Sequence, residues 1–169
     1  MTGPLVGRFC GQERPANYLS STNTLYFNFR SDYSVSRAGF RIRYKTACGG
    51  EFSTPSGIIR SPYHPANYPH HRQCQYIISA QPGNVIQLHF SDFDVEGSWG
   101  CQFDYLEIRD GDNRNSTVLG RYCGDSSLAP DLVTSSYNYL HLTFVTDGSV
   151  QNRGFLLNYT TIEVFVSIA

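Results

Sequence analysis

The stretch NVIQLHFSDFDVEGSWGCQFDYLEIRDG, residues 84–111, reads as two strands joined by an acidic loop. Ile86, Leu88 and Phe90 alternate with Gln87 and His89, and Leu106 and Ile108 flank Glu107. A strand has a period of two, so such alternation lines one face with apolar side chains and leaves the other polar. The pattern recurs downstream. Leu140, Leu142 and Phe144 alternate with His141 and Thr143, and Phe155, Leu157 and Tyr159 supply another inner face. Pro82-Gly83-Asn84 and Asp110-Gly111-Asp112-Asn113 are natural turns, since Gly and Asn tolerate positive φ. Short alternating runs separated by turns predict an antiparallel all-β sandwich.

Composition agrees and narrows the function. The 169 residues have room for one ordinary domain or two small ones. With 13 Lys+Arg against 14 Asp+Glu, the net charge of −1 provides no basic stripe to track a phosphate backbone, so nucleic acid is not an expected partner. Twelve Tyr, 11 Phe, 15 Gly and 8 Pro favour strands and tight turns over helices. No apolar run approaches the ~20 residues needed to span a bilayer, and no direct membrane insertion is expected. Met1 opens onto TGPLVGRFCGQ, which lacks the basic and apolar regions of a secretory signal. Five Cys and two sequons, at Asn115 and Asn158, point instead to an oxidising, extracellular setting with both asparagines as candidate glycan acceptors. The sequence therefore reads as part of a longer secreted or membrane-anchored chain.

An internal repeat organises it. Gly7-Arg8-Phe9-Cys10-Gly11 matches Gly120-Arg121-Tyr122-Cys123-Gly124. Asp32, Ser34-Val35, Gly39-Phe40 and Tyr44 match Asp147, Ser149-Val150, Gly154-Phe155 and Tyr159, with two residues between the registers, an insertion between the cysteine and the aspartate. Residues 1–47 are thus a copy of the last part of the chain, followed without a linker by a whole unit that begins at Cys48. Phe40, Ile42 and Tyr44 oppose Arg41, Arg43 and Lys45, a basic row best read as a solvated strand face. Four cysteines of the whole unit, Cys48, Cys74, Cys101 and Cys123, allow three pairings, and Cys10 is left over. Zinc is a poor alternative, since no CxxC pair is present.

Enzyme chemistry finds no scaffold. Gly124-Asp125-Ser126-Ser127-Leu128 lacks the G-x-S-x-G elbow, and His70-His71 lies in a Pro-rich loop without an H-E-x-x-H helix. The chemistry that remains is three carboxylates. Glu96 follows the Ile86 to Phe90 strand, Asp104 opens the next strand and Asp147 follows the Leu140 to Phe144 strand. If those strands are neighbours, the acids meet at one rim, where Gly148 permits a turn that aims the Ser149 carbonyl inward and water completes the 6 to 8 oxygens that calcium prefers. Asp92 and Asp94 read as outer loop acids.

Several ordered motifs resemble a CUB domain: Cys48-Gly49-Gly50, SGIIRSPYHPANYP at 56–69, Cys74, SDFDVEGSWGCQFDYLEIRDG at 91–111, GRYCG at 120–124 and TDGSVQNRGF at 146–155. The resemblance covers residues 48–161, and residues 1–47 resemble the C-terminal half of a preceding, truncated CUB domain. Residues 162–169 are expected to form a tail outside the domain. The resemblance implies a jelly-roll sandwich of two antiparallel sheets, with disulfides Cys48–Cys74 and Cys101–Cys123. It implies calcium as cofactor, held by Glu96, Asp104, Asp147 and Ser149, with Tyr68 supporting the ligands from behind. It also implies a non-catalytic role. Abutting units with these motifs are similar to tandem-CUB endocytic receptors, found at the cell surface and in endosomes. Their neighbours in the chain are further CUB domains, and their ligands are proteins with basic side chains, such as vitamin B12 carrier complexes. A Lys or Arg of the ligand would pair with the calcium-ordered acids, and Trp99 would contact its alkyl stem or cation. The alternative is a structural or oligomerisation CUB module of a secreted protease or enhancer.

Overall fold

The computed structural model describes residues 5–18, 25–44 and 48–164. They fall into two units, one ahead of residue 48 and one from Cys48 onward. The second holds ten strands: β1 (Gly49–Phe52), β2 (Ser56–Arg60), β3 (Arg72–Ser79), β4 (Asn84–Val95), β5 (Tyr105–Asp110), β6 (Thr117–Tyr122), β7 (Gly124–Asp125), β8 (Leu132–Thr134), β9 (Tyr139–Thr146) and β10 (Gly154–Glu163). One sheet has the order β1-β3-β9-β5-β6 and the other β2-β10-β4-β7, with β8 also on β4. All ladders are antiparallel except β1 on β3, which is parallel.

The alternating residues become the core between the sheets. Ile86, Leu88, Leu106, Ile108, Leu140, Leu142, Phe144, Phe155 and Leu157 have no exposed surface. Burying each such side chain contributes about 1.5–3 kcal/mol relative to exposure. A row of edge-to-face aromatics runs through the middle, with ring centroids 5.2 Å apart for Tyr68–Phe144, 5.1 Å for Phe144–Phe155 and 6.0 Å for Tyr76–Phe155. Two disulfides, Cys48–Cys74 and Cys101–Cys123, tie β1 to β3 and the β4–β5 loop to the end of β6. Cys10 is free and exposed.

Three features differ from the sequence reading. The β4 strand does not stop at Phe90. A bulge opposite Leu156/Leu157 skips Ser91 and reverses the pleat, so that inward-facing residues pass from Leu88 and Phe90 to Phe93 and Val95. Asp92 and Asp94 therefore stand on a strand and not in a loop. Second, His141 and Thr143 are buried although they face away from the core, because β9 lies between β3 and β5 and neighbouring side chains cover it. Third, β10 continues through Ile162 and Glu163, which pair with Val85 and Asn84. The rest of the expected tail, from 165, lies outside the described residues, as does Lys45 of the basic row.

The first unit contains no strand among its described residues, where Phe40 to Tyr44 reads as one in sequence. Its large apolar side chains are exposed, Phe29 by 67% and Phe40 by 64%. These two rings still meet edge-to-face, 5.3 Å between centroids.

Candidate metal centre

The strand order brings the three acids together. Tyr105 of β5 pairs with Val145 of β9, which sets Asp104, just before β5, beside Asp147, just after β9. Glu96 arrives from the opposite sheet at the end of β4. One carboxylate oxygen from each of Glu96, Asp104 and Asp147 lies within 4.8 Å of the others. Among the described residues this is the one cluster of three such side chains with ligand spacing.

Each acid is held differently. Asp104 is fully buried. Its Oδ1 accepts the Asp147 N–H at 2.6 Å, whereas Oδ2 has no hydrogen-bond partner. Asp147 Oδ1 accepts the Ser149 N–H at 2.8 Å and the Ser149 hydroxyl at 3.0 Å, an Asx-type turn that lowers the Asp147 pKa through that N–H first of all. Glu96 Oε2 is buried without a partner. Desolvation, followed by the charges of Asp104 and Asp147, raises the Glu96 pKa. Buried, unpartnered carboxylate oxygens facing like charges are costly unless a cation neutralises them. The donor set is all oxygen, which suits a hard cation such as calcium. The residues present fit it.

Tyr68 stands behind the acids. It has no exposed surface, its ring packs on Phe144, and its hydroxyl oxygen accepts the Glu96 N–H at 3.0 Å. Burial, then the neighbouring Asp104 carboxylate, raises its pKa, so the phenol stays protonated. His71 is a support that alternation and motif spacing do not reveal. Its N–H donates to the Asp147 carbonyl at 2.7 Å, and its ring occupies the space where a Cβ on Gly148 would lie, 2.6 Å from Cε1. A side chain at Gly148 would have to displace the His71 ring.

The remaining candidates scatter. Ser149 is exposed and contributes its N–H and hydroxyl to Asp147. Trp99 is 91% exposed in the β4–β5 loop and takes no part in the sandwich. Asp92 and Asp94 do not join the cluster, since Arg153 reaches Asp94 at 3.1 Å and Asp92 at 3.4 Å while His64 Nε2 meets Asp92 at 3.0 Å. Asn115 sits exposed in the β5–β6 turn. Asn158 lies in mid-β10 and donates to the Ser91 hydroxyl at 2.6 Å.

A family model described as CUB domain matches residues 1–44 and 48–159. The chain belongs to the CUB domain family. A CUB domain is an extracellular, non-catalytic module for protein interaction, and the stretch ahead of residue 48 matches the same family. Bone morphogenetic protein 1 of Xenopus laevis is 40% identical over 156 residues, 92% of this chain and 22% of that protein. Cubilin of Sus scrofa is 39% identical over 157 residues, 93% of this chain and 4% of its own length. The chain thus spans a small part of these relatives. Among solved structures, the MASP-1 CUB2 domain bound to Ca2+ superposes with a TM-score of 0.60 at 32% identity, covering 68% of this chain and 99% of that one. The CUB1-EGF-CUB2 domain of human MASP-1/3 gives 0.62 at 31% identity, over 70% and 43%. No helix among the described residues is long and apolar enough to cross a membrane.

Proposed function

We propose that the CUB unit from Cys48 onward is a calcium-dependent ligand-binding module that recognises basic side chains of protein ligands. The observation that carries this reading is the convergence of Glu96, Asp104 and Asp147 with two buried carboxylate oxygens left unpartnered. Glu96, Asp104, Asp147 and Ser149 are the residues assigned to the ion, with Tyr68 holding Glu96 and Asp104 in place. A bound calcium ion would supply positive charge that relieves the repulsion among the acids. Three carboxylates exceed its charge of +2, so the rim keeps a negative potential that attracts Lys or Arg. Trp99, exposed on the same loop as Glu96, is available for a cation–π contact of about 0.5–2 kcal/mol. The calcium-bound CUB2 relative supports the choice of ion.

Similarity to cubilin supports placing the module in an endocytic receptor at the cell surface and in endosomes, with carriers of vitamin B12 among the ligand classes to test. Similarity to bone morphogenetic protein 1 is equally close and favours a second reading, an assembly module within a secreted protease. Calorimetric titration with calcium tests the site. One ion with Kd of order 10⁻⁴–10⁻³ M is expected, with no binding by Asp104→Ala. A Lys-rich peptide that binds equally well in chelator and to Asp104→Ala would show that recognition uses another face.

A further inference from the structure

The edges of the two sheets are not equally protected. An edge strand offers unpaired N–H and C=O groups to another chain unless something blunts it. The first sheet ends on β1 and β6, and the second ends on β2 at one side and on β7 and β8, both along β4, at the other. β7 and β8 are only 2 and 3 residues long. β1 has 4 residues and opens on Gly49 and Gly50 at φ 90° and 145°, far from strand geometry. β2 has 5, follows Pro55, which has no N–H, and ends on Arg60. β6, with 6 residues, is the longest of these and the least guarded. Its side away from β5 meets no strand among the described residues. Val118 and Leu119 are 46% and 36% exposed, and a bulge leaves Leu119 without a partner on β5. Arg121, the one charged residue of the strand, is paired within the sheet, 2.7 Å from Glu107 and 4.1 Å from the centre of the Tyr105 ring.

An attachment point lies beside this edge. Asn115-Ser116-Thr117 is a sequon, and its Thr117 is the first residue of β6. The turn that presents it is held in place. The Asn115 N–H donates to Asn113 Oδ1 at 2.9 Å, and Arg109 donates to the Ser116 carbonyl at 2.9 Å. Asn115 is exposed, and among the described residues no hydrogen bond engages its side-chain amide. The other sequon differs in both place and bonding. Asn158 stands in mid-β10 between Ile58 of β2 and His89 of β4, and its amide donates to Ser91 at 2.6 Å. Sugar there would lie on the face of a sheet, whereas sugar on Asn115 would stand at the end of an open edge.

We propose that Asn115 carries an N-linked glycan whose function is to keep β6 from pairing with β6 of a second copy of the chain. In the attachment, the Asn115 side-chain nitrogen bonds to the anomeric carbon of a lipid-diphosphate-linked oligosaccharide. The bond from that carbon to the diphosphate oxygen breaks, the lipid diphosphate leaves with the electron pair, and the amide nitrogen loses one proton. The sugar then stands at one end of a strand that spans about 20 Å, and its hydrated bulk fills the space a neighbouring strand needs. Without it, the strand is suited to pair with itself. Two β6 strands meeting antiparallel about a two-fold axis beside Leu119 bring their exposed Val118 and Leu119 together. Arg121 of each copy falls opposite Thr117 of the other, so no like charges are opposed. In the same register Asn115 of each copy stands opposite Cys123 of the other, and the two glycans block both ends of the pair. The inference is independent of the calcium reading.

The test uses the whole chain secreted from animal cells restricted to oligomannose glycans. Every version carries Cys10→Ala, so that the free thiol forms no bridge between molecules. Glycopeptide mapping is expected to find sugar on Asn115. Amide exchange at 117–122 is then compared between dilute and concentrated protein. The glycosylated chain should show no difference, whereas Asn115→Gln should exchange about tenfold or more slowly at the higher concentration. Adding Leu119→Lys to Asn115→Gln should abolish that slowing, because it sets two like charges face to face at the axis. If Asn115→Gln is not secreted, trimming the purified glycoprotein to its first sugar with an endoglycosidase takes its place. An Asn115 without sugar in the secreted protein would overturn the proposal. So would exchange at 117–122 that stays independent of concentration once the glycan is lost, or slowing that Leu119→Lys leaves intact.

Discussion

Asp32 and Asp147 sit in the same turn twice over. Asp32 Oδ1 accepts the Ser34 N–H and hydroxyl, both at 2.9 Å, as Asp147 Oδ1 accepts those of Ser149 at 2.8 and 3.0 Å. In each case the backbone N–H two residues on is the main cause of a lowered carboxylate pKa. The flanking segments nonetheless part ways. Around Asp147 they are strands in a sandwich, and around Asp32 the described residues form none. A turn closed between i and i+2 needs only its own residues. A strand takes its hydrogen-bonding neighbours from segments distant in the chain, as β9 does from β3 and β5. The comparison separates what these residue types do locally from what they do once a partner surface exists.

Equivalent substitutions in the two copies test this most severely. Phe144 is fully buried against Tyr68 and Phe155, so Phe144→Ala should cost about 3–5 kcal/mol in urea unfolding of the whole chain. Phe29→Ala, at the matching and exposed position, should stay within about 0.5 kcal/mol. A large effect at Phe29 would mean that the first unit has a core of its own.

The cysteines come next. The Cys101–Cys123 bond spans 22 residues, and replacing both cysteines by Ala should cost about 3 kcal/mol. Cys10→Ala should leave the unfolding midpoint where it is, since that thiol is free.

Calcium should discriminate more gently. At tenfold excess over Kd, the ion should stabilise the second unit by ~1.4 kcal/mol, read as a rise in Tm over the chelated protein. Exchange rates across 25–44 should not respond, because among the described residues no further acids gather with Asp32 at ligand spacing. Protection there on adding calcium would show a site in the first unit.

The smallest expected effect is electrostatic. Glu107 is nearly buried and bonds to Arg109 and Arg121, both at 2.7 Å. Burial alone would raise its pKa, but the two guanidiniums outweigh it and lower it. A depressed folded pKa means stability that is present above the unfolded value of ~4.3 and lost as pH falls through the folded one. Unfolding of Glu107→Gln should therefore begin about 1 kcal/mol lower at neutral pH and lose part of its slope below pH ~4.5. Arg8, the match of Arg121, is exposed, and Arg8→Ala should change nothing.

Much of this was legible in the residues. Ile86 and Leu88, or Leu140 and Phe144, declare their buried face by period-two spacing alone, and spaced motifs identify Glu96, Asp104, Asp147 and Tyr68. The end of β4 was not legible, because the bulge at Ser91 reverses the pleat and makes Asp92 to Val95 look like loop. Nor was the burial of His141 and Thr143, which follows from a central place in the sheet. His71 gave no signal, since its role depends on room beside Gly148.

The sequence by itself determined the strand-forming segments, the duplicated back half and the acids available for a cation, because alternation, turns and motifs are carried by neighbouring residues. Tertiary structure alone decided that Asp104 would be buried with an unpartnered oxygen beside Glu96 and Asp147, and that Phe144 would be core while Phe29 is exposed. Those outcomes depend on strands distant in the chain. Similar local chemistry becomes a strand only where distant segments flank it as hydrogen-bonding neighbours.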